Sequence, residues 1–154
     1  MARSYMQGFF SPLNPRKYQG DRNQIVFRSS WERTAFNFCD TEKAIKKWAS
    51  EEVIIPYTCP LTGKARRYFV DMWIQTIDGK EFLIEIKPYA QTQEPRKGKG
   101  PKAEKRYQEE VVEYLTNQAK WKAAREFCAK RNMDFVIWHE GILYPGDKTW
   151  EKKK

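Results

Sequence analysis

Apolar and polar positions alternate along "FVDMWIQTIDGKEFLIEIK", residues 69–87, in two runs broken at Asp78-Gly79. A period of two is the signature of strands, and Asp-Gly between two such runs is a turn signal, so the stretch predicts a hairpin over 67–76 and 81–87. Upstream, "EVIIPY" (52–57) predicts a short strand, and "TCPLTGKAR" a turn with basic residues at its exit. In "RSSWERTAFNFCD" the apolar residues recur at helical spacing behind Ser29 or Ser30, either of which is a natural N-cap. The helical pattern continues as an option through "EKAIKKWA". Residues 1–24, rich in Gly, Pro, Asn and Arg, read as a basic arm that needs a surface to lie on.

Beyond the hairpin, residues 88–106 hold three Pro, two Gly and six Lys or Arg against two Glu, the composition of a mobile basic loop. A long helix is predicted from about Pro101 to Arg131, with Val112, Leu115, Ala119, Ala123 and Phe127 as its apolar stripe and Asn132 closing it. "MDFVIWH" predicts a last strand. The domain organisation is then an arm (1–24), one folded domain (25–146, with 88–105 as the mobile loop) and a basic tail (147–154). The order α-β-β-β-α-β predicts an α/β fold, a mixed central sheet of about four strands flanked by helices.

Asp71, Glu85 and Lys87 interrupt the apolar runs of the hairpin. Charged side chains are almost never fully buried unless they are paired or bind a metal. Strand side chains alternate, so Glu85 and Lys87 share one face and Ile84 and Ile86 the other. The face of Asp71 depends on the turn. A two-residue Asp78-Gly79 loop sets it opposite Ile86; a three-residue loop, Ile77-Asp78-Gly79 with Gly79 left-handed in a bulge, sets it opposite Glu85. The bulged register is preferred, because the alternative points one acid into each side of the sheet; a bulge elsewhere in the hairpin would serve equally well.

Two carboxylates in a low-dielectric cleft repel, and a divalent cation removes that cost. Hard oxygen ligands select Mg²⁺ or Mn²⁺. Lys87 beside them offers a positive charge to a phosphate oxygen or an attacking water, which suits phosphodiester hydrolysis. Glu32, on the helical side of Ala35, Phe36 and Cys39, should point toward the hairpin as a further ligand or a support for one. An outward ion pair of Glu85 with Lys87 is the competing account, whereas Glu51 and Glu52 read as a solvated strand entry.

Composition narrows the partner. Charged residues make up 32% of the chain and the formal net charge is +9, which favours a polyanion, nucleic acid before an acidic membrane. Cys39, Cys59 and Cys128 are odd in number and fit no CxxC spacing, which speaks against a disulfide framework or a zinc site and for a reducing compartment. His139, the single histidine, forms no cluster. No run reaches the ~18 apolar residues of a membrane span, and the N-terminus carries no secretion signal of the standard kind.

Glu32 on a helix, "VD" at 70–71 and "EIK" at 85–87 resemble the PD-(D/E)XK nuclease superfamily across residues 28–138. "EVIIPY" and "RYFVDMW" are similar to its TnsA-like and phage branches. The opening "MARSYMQGFFSPLNPRKYQGD…IVFRSSWE" resembles the head completion nucleases of T-even-type tailed phages, through most of the chain. One departure is Val70, where the superfamily places a proline before the aspartate.

The resemblance implies a restriction-endonuclease-like core and Mg²⁺-dependent DNA cleavage, with Mn²⁺ able to substitute. It implies Asp71 bridging the metal, Glu85 as second acidic ligand, the Ile86 carbonyl as backbone ligand, Lys87 positioning water or stabilising developing charge, and Glu32 completing the site. Gln108 and Lys120 are candidate auxiliaries that suit a solvated helix face equally well. DNA contact would come from Arg16, Lys17, Arg28, Arg66, Arg67, Arg96, Lys97, Lys99, Lys102, Lys105 and Arg106, through phosphates and without sequence reading. The phage branch further implies action on the packaged head before tail joining, portal or neck proteins as partners, and a place in the host cytoplasm or virion head. Two other readings stand beside it: a non-catalytic head protein that keeps the fold and binds DNA or portal, and a junction or transposon-end nuclease that would need a dimer surface.

Overall fold

Ser29 sets the first helix. Its side chain accepts from the Glu32 amide at 3.2 Å, satisfying one of the orphan N–H groups of a helix start. Helix α1 (Ser30–Thr41) then buries Trp31, Ala35, Phe36 and Cys39. The computed structural model describes residues 2–153, with side chains through Glu151; Met1, Lys154 and the side chains of Lys152 and Lys153, which belong to the expected basic tail, lie outside the described residues.

Among the described residues there are eight strands and two long helices. In chain order these are β1 (Tyr5–Phe9), β2 (Val26–Ser29), α1, β3 (Ile45–Ser50), β4 (Ile54–Thr58), β5 (Ala65–Phe69), β6 (Met72–Thr76), β7 (Glu81–Ile86), α2 (Pro101–Ala129), β8 (Asp134–Trp138) and the short α3 (Glu140–Leu143). The central sheet runs β3-β6-β7-β8, antiparallel except for the parallel β7–β8 pair that returns through α2. It is the expected α/β architecture, a mixed four-stranded sheet flanked by helices. One core, with Phe36, Trp48, Met72, Ile74, Ile84 and Ile86, lies on the α1 face. The other, with Tyr68, Val70, Leu83, Trp121 and Ala124, lies toward α2.

Three expectations change. The option of helix through "EKAIKKWA" fails, because this segment is strand β3. A register shift between Ile45 and Lys47 puts Ile45 and Trp48, three residues apart, into the same core. A bulge thus imitates a helical step. The single strand expected over 67–76 is two strands. At the break, Val70 N–H donates to the Val53 carbonyl (3.0 Å) and the Asp71 carbonyl accepts from Glu51 N–H (3.1 Å), so β5 pairs only with β4 while β6 joins the central sheet. "EVIIPY" therefore belongs to a separate two-stranded β4–β5 sheet, and β3 fills the fourth place in the centre.

Helix α2 keeps part of the predicted stripe inward, since Ala119, Ala123 and Phe127 pack half-buried against the second core. Its buried residues are Asn117, Trp121, Ala124 and Cys128, whereas Val112 and Leu115 are 44% and 41% exposed. All of the buried residues sit in its second half, which packs on β4, β7 and β8. Its first turns begin at Pro101, so the loop after β7 ends at Gly100, and a short 3-10 turn (Tyr89–Thr92) opens that loop. The N-terminal segment is tied down: β1 pairs with β2, and the Leu13 and Asn14 amides donate to the buried Asp40 carboxylate at 2.7 and 3.1 Å.

The β6–β7 hairpin has the three-residue turn. Thr76 N–H donates to the Lys80 carbonyl (2.8 Å) and Gly79 N–H to the Thr76 carbonyl (2.9 Å), with Gly79 at φ 89°. A Cβ at Gly79 would meet nothing within 4 Å, so only backbone strain opposes substitution. Gly79→Val should therefore destabilise the protein by about 1–3 kcal/mol, while Gly79→Asn, tolerant of positive φ, should stay within about 1 kcal/mol. Urea titration measures both, and equal midpoints for the two variants would remove Gly79 as the determinant of this register.

Candidate active site

The register of β6 on β7 pairs Met72 with Ile84 and Ile74 with Phe82. Carried one residue past β6, it sets Asp71 opposite Glu85, both on the sheet face that bears Leu83 and Trp73. Asp71 stands where the chain leaves the ladder, and its Oδ2 accepts from the Ile86 amide at 2.7 Å. The same register makes Val70 N–H the ladder donor for the Ile86 carbonyl. That donor is spent on Val53, which leaves the Ile86 carbonyl outside the β6 ladder.

Glu85 is 6% exposed and held from two sides. Lys87 Nζ lies 3.4 Å from its Oε1, and the buried Tyr68 hydroxyl donates to its Oε2. Burial, the Glu85 charge and this hydrogen bond push the Tyr68 phenol far above its usual range, so it remains a donor at any working pH. Asp71 is pushed well above the ordinary aspartate value, by burial first, then by the Glu85 charge and more weakly by Glu32; the Ile86 amide and Lys87 oppose the shift. Negative charge is thus packed here beyond what the protein neutralises.

Glu32 comes from α1, on the other side of the sheet, and is within electrostatic reach of Asp71. It is 8% exposed, accepts from the Arg28 amide, and is raised by burial and by the charge of Glu51. Glu51 is not the free strand entry that the sequence suggested. It adopts φ 55°, pairs with the Arg28 guanidinium, and donates its amide to the Asp71 carbonyl. A glutamate in this conformation is strained by about 1 kcal/mol or more, a cost met where surrounding contacts dictate the backbone.

The donor set can be tested for a cation. Among the described residues, no three His, Cys, Asp or Glu side chains converge as a metal cluster. Zinc-like and calcium-like cages need such convergence. Mg²⁺ does not: it keeps several waters and takes one or two carboxylates. Asp71, Glu85 and the Ile86 carbonyl fit that demand, and the raised pKa of Asp71 marks the uncompensated charge that a cation would relieve.

The basic residues are spread more widely. Arg16, Arg66, Arg96, Lys99, Lys102, Lys105 and Arg106 are exposed. Others are already engaged: Lys17 on the Glu42 carbonyl (2.8 Å), Arg28 on Glu51, Lys97 on Glu104 (2.8 Å), and Arg67 over the Phe69 ring at 5.4 Å. Gln108 is exposed and donates to Glu104 at 3.3 Å. Lys120 sits over the Tyr57 and Tyr68 rings, at 5.9 and 5.6 Å, beside the Glu85 support. Tyr68 went unread in the sequence, and Glu51 was read only as a solvated strand entry. For Tyr68 the available signal was its place three residues before Asp71, on the strand edge that leads into the acid; Glu51 gave none, since its role comes from a backbone turn.

Residues 42–140 match the family described as TnsA-like endonuclease N terminal. The chain belongs to this endonuclease family. It is also 42% identical over 144 residues to the "Head completion nuclease" of Enterobacteria phage T4, covering 92% of this chain and 96% of that one. No solved structure matches at a significant level. The match spans β3 to β8, and so contains Asp71, Glu85 and Lys87, while α1 with Glu32 precedes it. A restriction-endonuclease-like core accords with the family and with the mixed sheet.

Proposed function

We propose that this chain is a Mg²⁺-dependent DNA endonuclease, that Asp71, Glu85, Lys87 and Glu32 form its active site, and that it acts on packaged DNA during completion of a phage head. The observation that carries the reading is the juxtaposition of Asp71 and Glu85 at the end of β6, with Lys87 against Glu85. The relative named a head completion nuclease, matched along nearly the whole of both chains, supports the biological setting. Portal or neck proteins are the expected neighbours there.

When bound, Mg²⁺ would polarise the scissile phosphoryl group and make its water a stronger nucleophile. Asp71, Glu85 and the Ile86 carbonyl would hold it. Tyr68 keeps one Glu85 oxygen fixed by a proton it never yields, which orients the other toward Lys87. Lys87 would hold the attacking water or a non-bridging phosphate oxygen and offset charge developing there. Arg28 sets both Glu32, through its amide, and Glu51, through its guanidinium.

The direct test is incubation of the purified protein with linear, circular and branched DNA in Mg²⁺ or in EDTA. Cleavage only in Mg²⁺ is the expected result; no cleavage of any form in either Mg²⁺ or Mn²⁺ would favour a structural head protein. The basic loop gives a second measurable consequence. Replacing Arg96, Lys97 and Lys99 together by glutamine should weaken binding to all sequences and reduce the salt slope by up to about 2–3, at roughly 0.9 per lost duplex phosphate contact. The pairing of Lys97 with Glu104 puts the outcome toward the lower figure. An unchanged slope would place the DNA track elsewhere.

A further inference from the structure

Asn117 is 5% exposed on α2, and its Nδ2 has no hydrogen-bond partner. It lines a cavity of about 340 Å³ between α2 and the segment that follows β7. Leaving a buried donor unpaired costs about 1–3 kcal/mol, so the group awaits an acceptor. The facing wall supplies Gln91 and Gln93, and α2 adds Glu110, Glu113 and Tyr114 on the same helical side.

The chemistry of this lining selects its ligand. A phosphate offers only acceptors and would meet the carboxylates of Glu110 and Glu113. A lysine or arginine side chain offers only donors and would leave Asn117 Nδ2 unsatisfied. A nucleobase edge carries both: ring nitrogens or carbonyls for Asn117, exocyclic amines for the glutamates and glutamines, and a flat face for Tyr114. The volume lies at the lower end of the ~300–1,000 Å³ of ligand pockets, suited to one ring system.

The pocket also lies beside the proposed chemistry. It opens three residues past Lys87, at Ala90, and one turn along α2 from Asn117 stands Lys120, over the Tyr68 ring at 5.6 Å. We infer that this cavity is a nucleobase pocket that takes one unpaired base from the DNA strand being cut, favouring adenine, cytosine or guanine over thymine, which has no exocyclic amine. The inference rests on the endonuclease reading and deepens it. A base within a duplex does not reach Asn117, and extruding one costs a few kcal/mol. Frayed ends, overhangs and flaps are therefore the preferred substrates.

The test uses the full chain in EDTA, so that no cleavage intervenes. The probes are short duplexes with single-stranded overhangs of either polarity, made of adenines or of abasic sugars. Wild type should bind the adenine overhang of one polarity about 5- to 150-fold more tightly than its abasic counterpart. Asn117→Leu should bring that ratio near one. Because a buried position can compromise folding, Gln91→Ala combined with Gln93→Ala, both exposed, should independently lower the ratio. A wild-type ratio near one for both polarities would overturn the pocket, and so would full discrimination in both folded variants. In either case binding to DNA with cleavage in Mg²⁺ would leave the endonuclease reading standing, whereas binding to no probe would sink both.

Discussion

Asp71→Asn should lower DNA cleavage by about 10³-fold or more while raising the melting temperature of the metal-free protein. Both effects have one origin. A metal ion contributes several kcal/mol of transition-state charge stabilisation, and each 1.36 kcal/mol is tenfold in rate, so losing a principal ligand removes at least three decades. The opposite sign for stability follows from the pKa of Asp71, which the fold raises above the unfolded value. As pH climbs past the ordinary aspartate value of 3.8, the unfolded chain releases this proton and the folded chain keeps it, so stability falls. The loss is complete once pH passes the raised value, and neutral pH carries the full penalty.

Asparagine keeps the shape and the acceptor for the Ile86 amide but carries no charge. Thermal unfolding in EDTA at neutral pH should therefore shift upward by about 2–4 °C for each kcal/mol of relieved repulsion. In wild type, Mg²⁺ should stabilise the fold more at neutral pH than in acid, because protonated Asp71 is a poor ligand. An Asp71→Asn protein that is inactive but no more stable than wild type in EDTA would deny the charge packing that motivates the site.

The position of the turn that fixes this site was legible locally, whereas its three-residue length was chosen because it puts Asp71 and Glu85 on one face. Ile77, Asp78 and Gly79 determine loop length, and loop length determines which side chain faces Glu85. The partition of residues 67–76 was hidden, since Val70 and Asp71 leave the ladder for hydrogen bonds to Val53 and Glu51, contacts made between segments. Strand β3 was misread for a related reason: a bulge after Ile45 gave Ile45 and Trp48 the spacing of a helix. On α2 the most apolar stripe was chosen, yet Asn117 is buried and Val112 is not. The helix is turned by what it must cover, the Tyr68–Leu83 side of the sheet, while its first half faces the segment that follows β7. Polar residues that the fold buries or ties down, such as Asn117, Tyr68 and Glu51, are where apolar periodicity gives least guidance.

Lys87→Met should separate catalysis from metal binding. Methionine keeps the apolar stem in its mostly buried position but removes the ammonium that sits 3.4 Å from Glu85. Loss of one positioned group acting on the developing charge typically costs about 10²–10³ in rate, and a comparable fall in single-turnover cleavage is expected here. The metal-free protein should respond in the direction opposite to Asp71→Asn. Lys87 is a positive side chain that lowers the pKa of Asp71, so without it Asp71, Glu85 and Glu32 repel with less compensation. The variant should melt below wild type in EDTA at neutral pH and recover most of the difference on adding Mg²⁺, since the cation replaces the missing charge. Full recovery of stability with activity still depressed assigns Lys87 to the water or the phosphate. Recovery of both together would reduce it to a counter-ion for Glu85, and loss of Mg²⁺-dependent stabilisation would make it a structural support of the metal ligands.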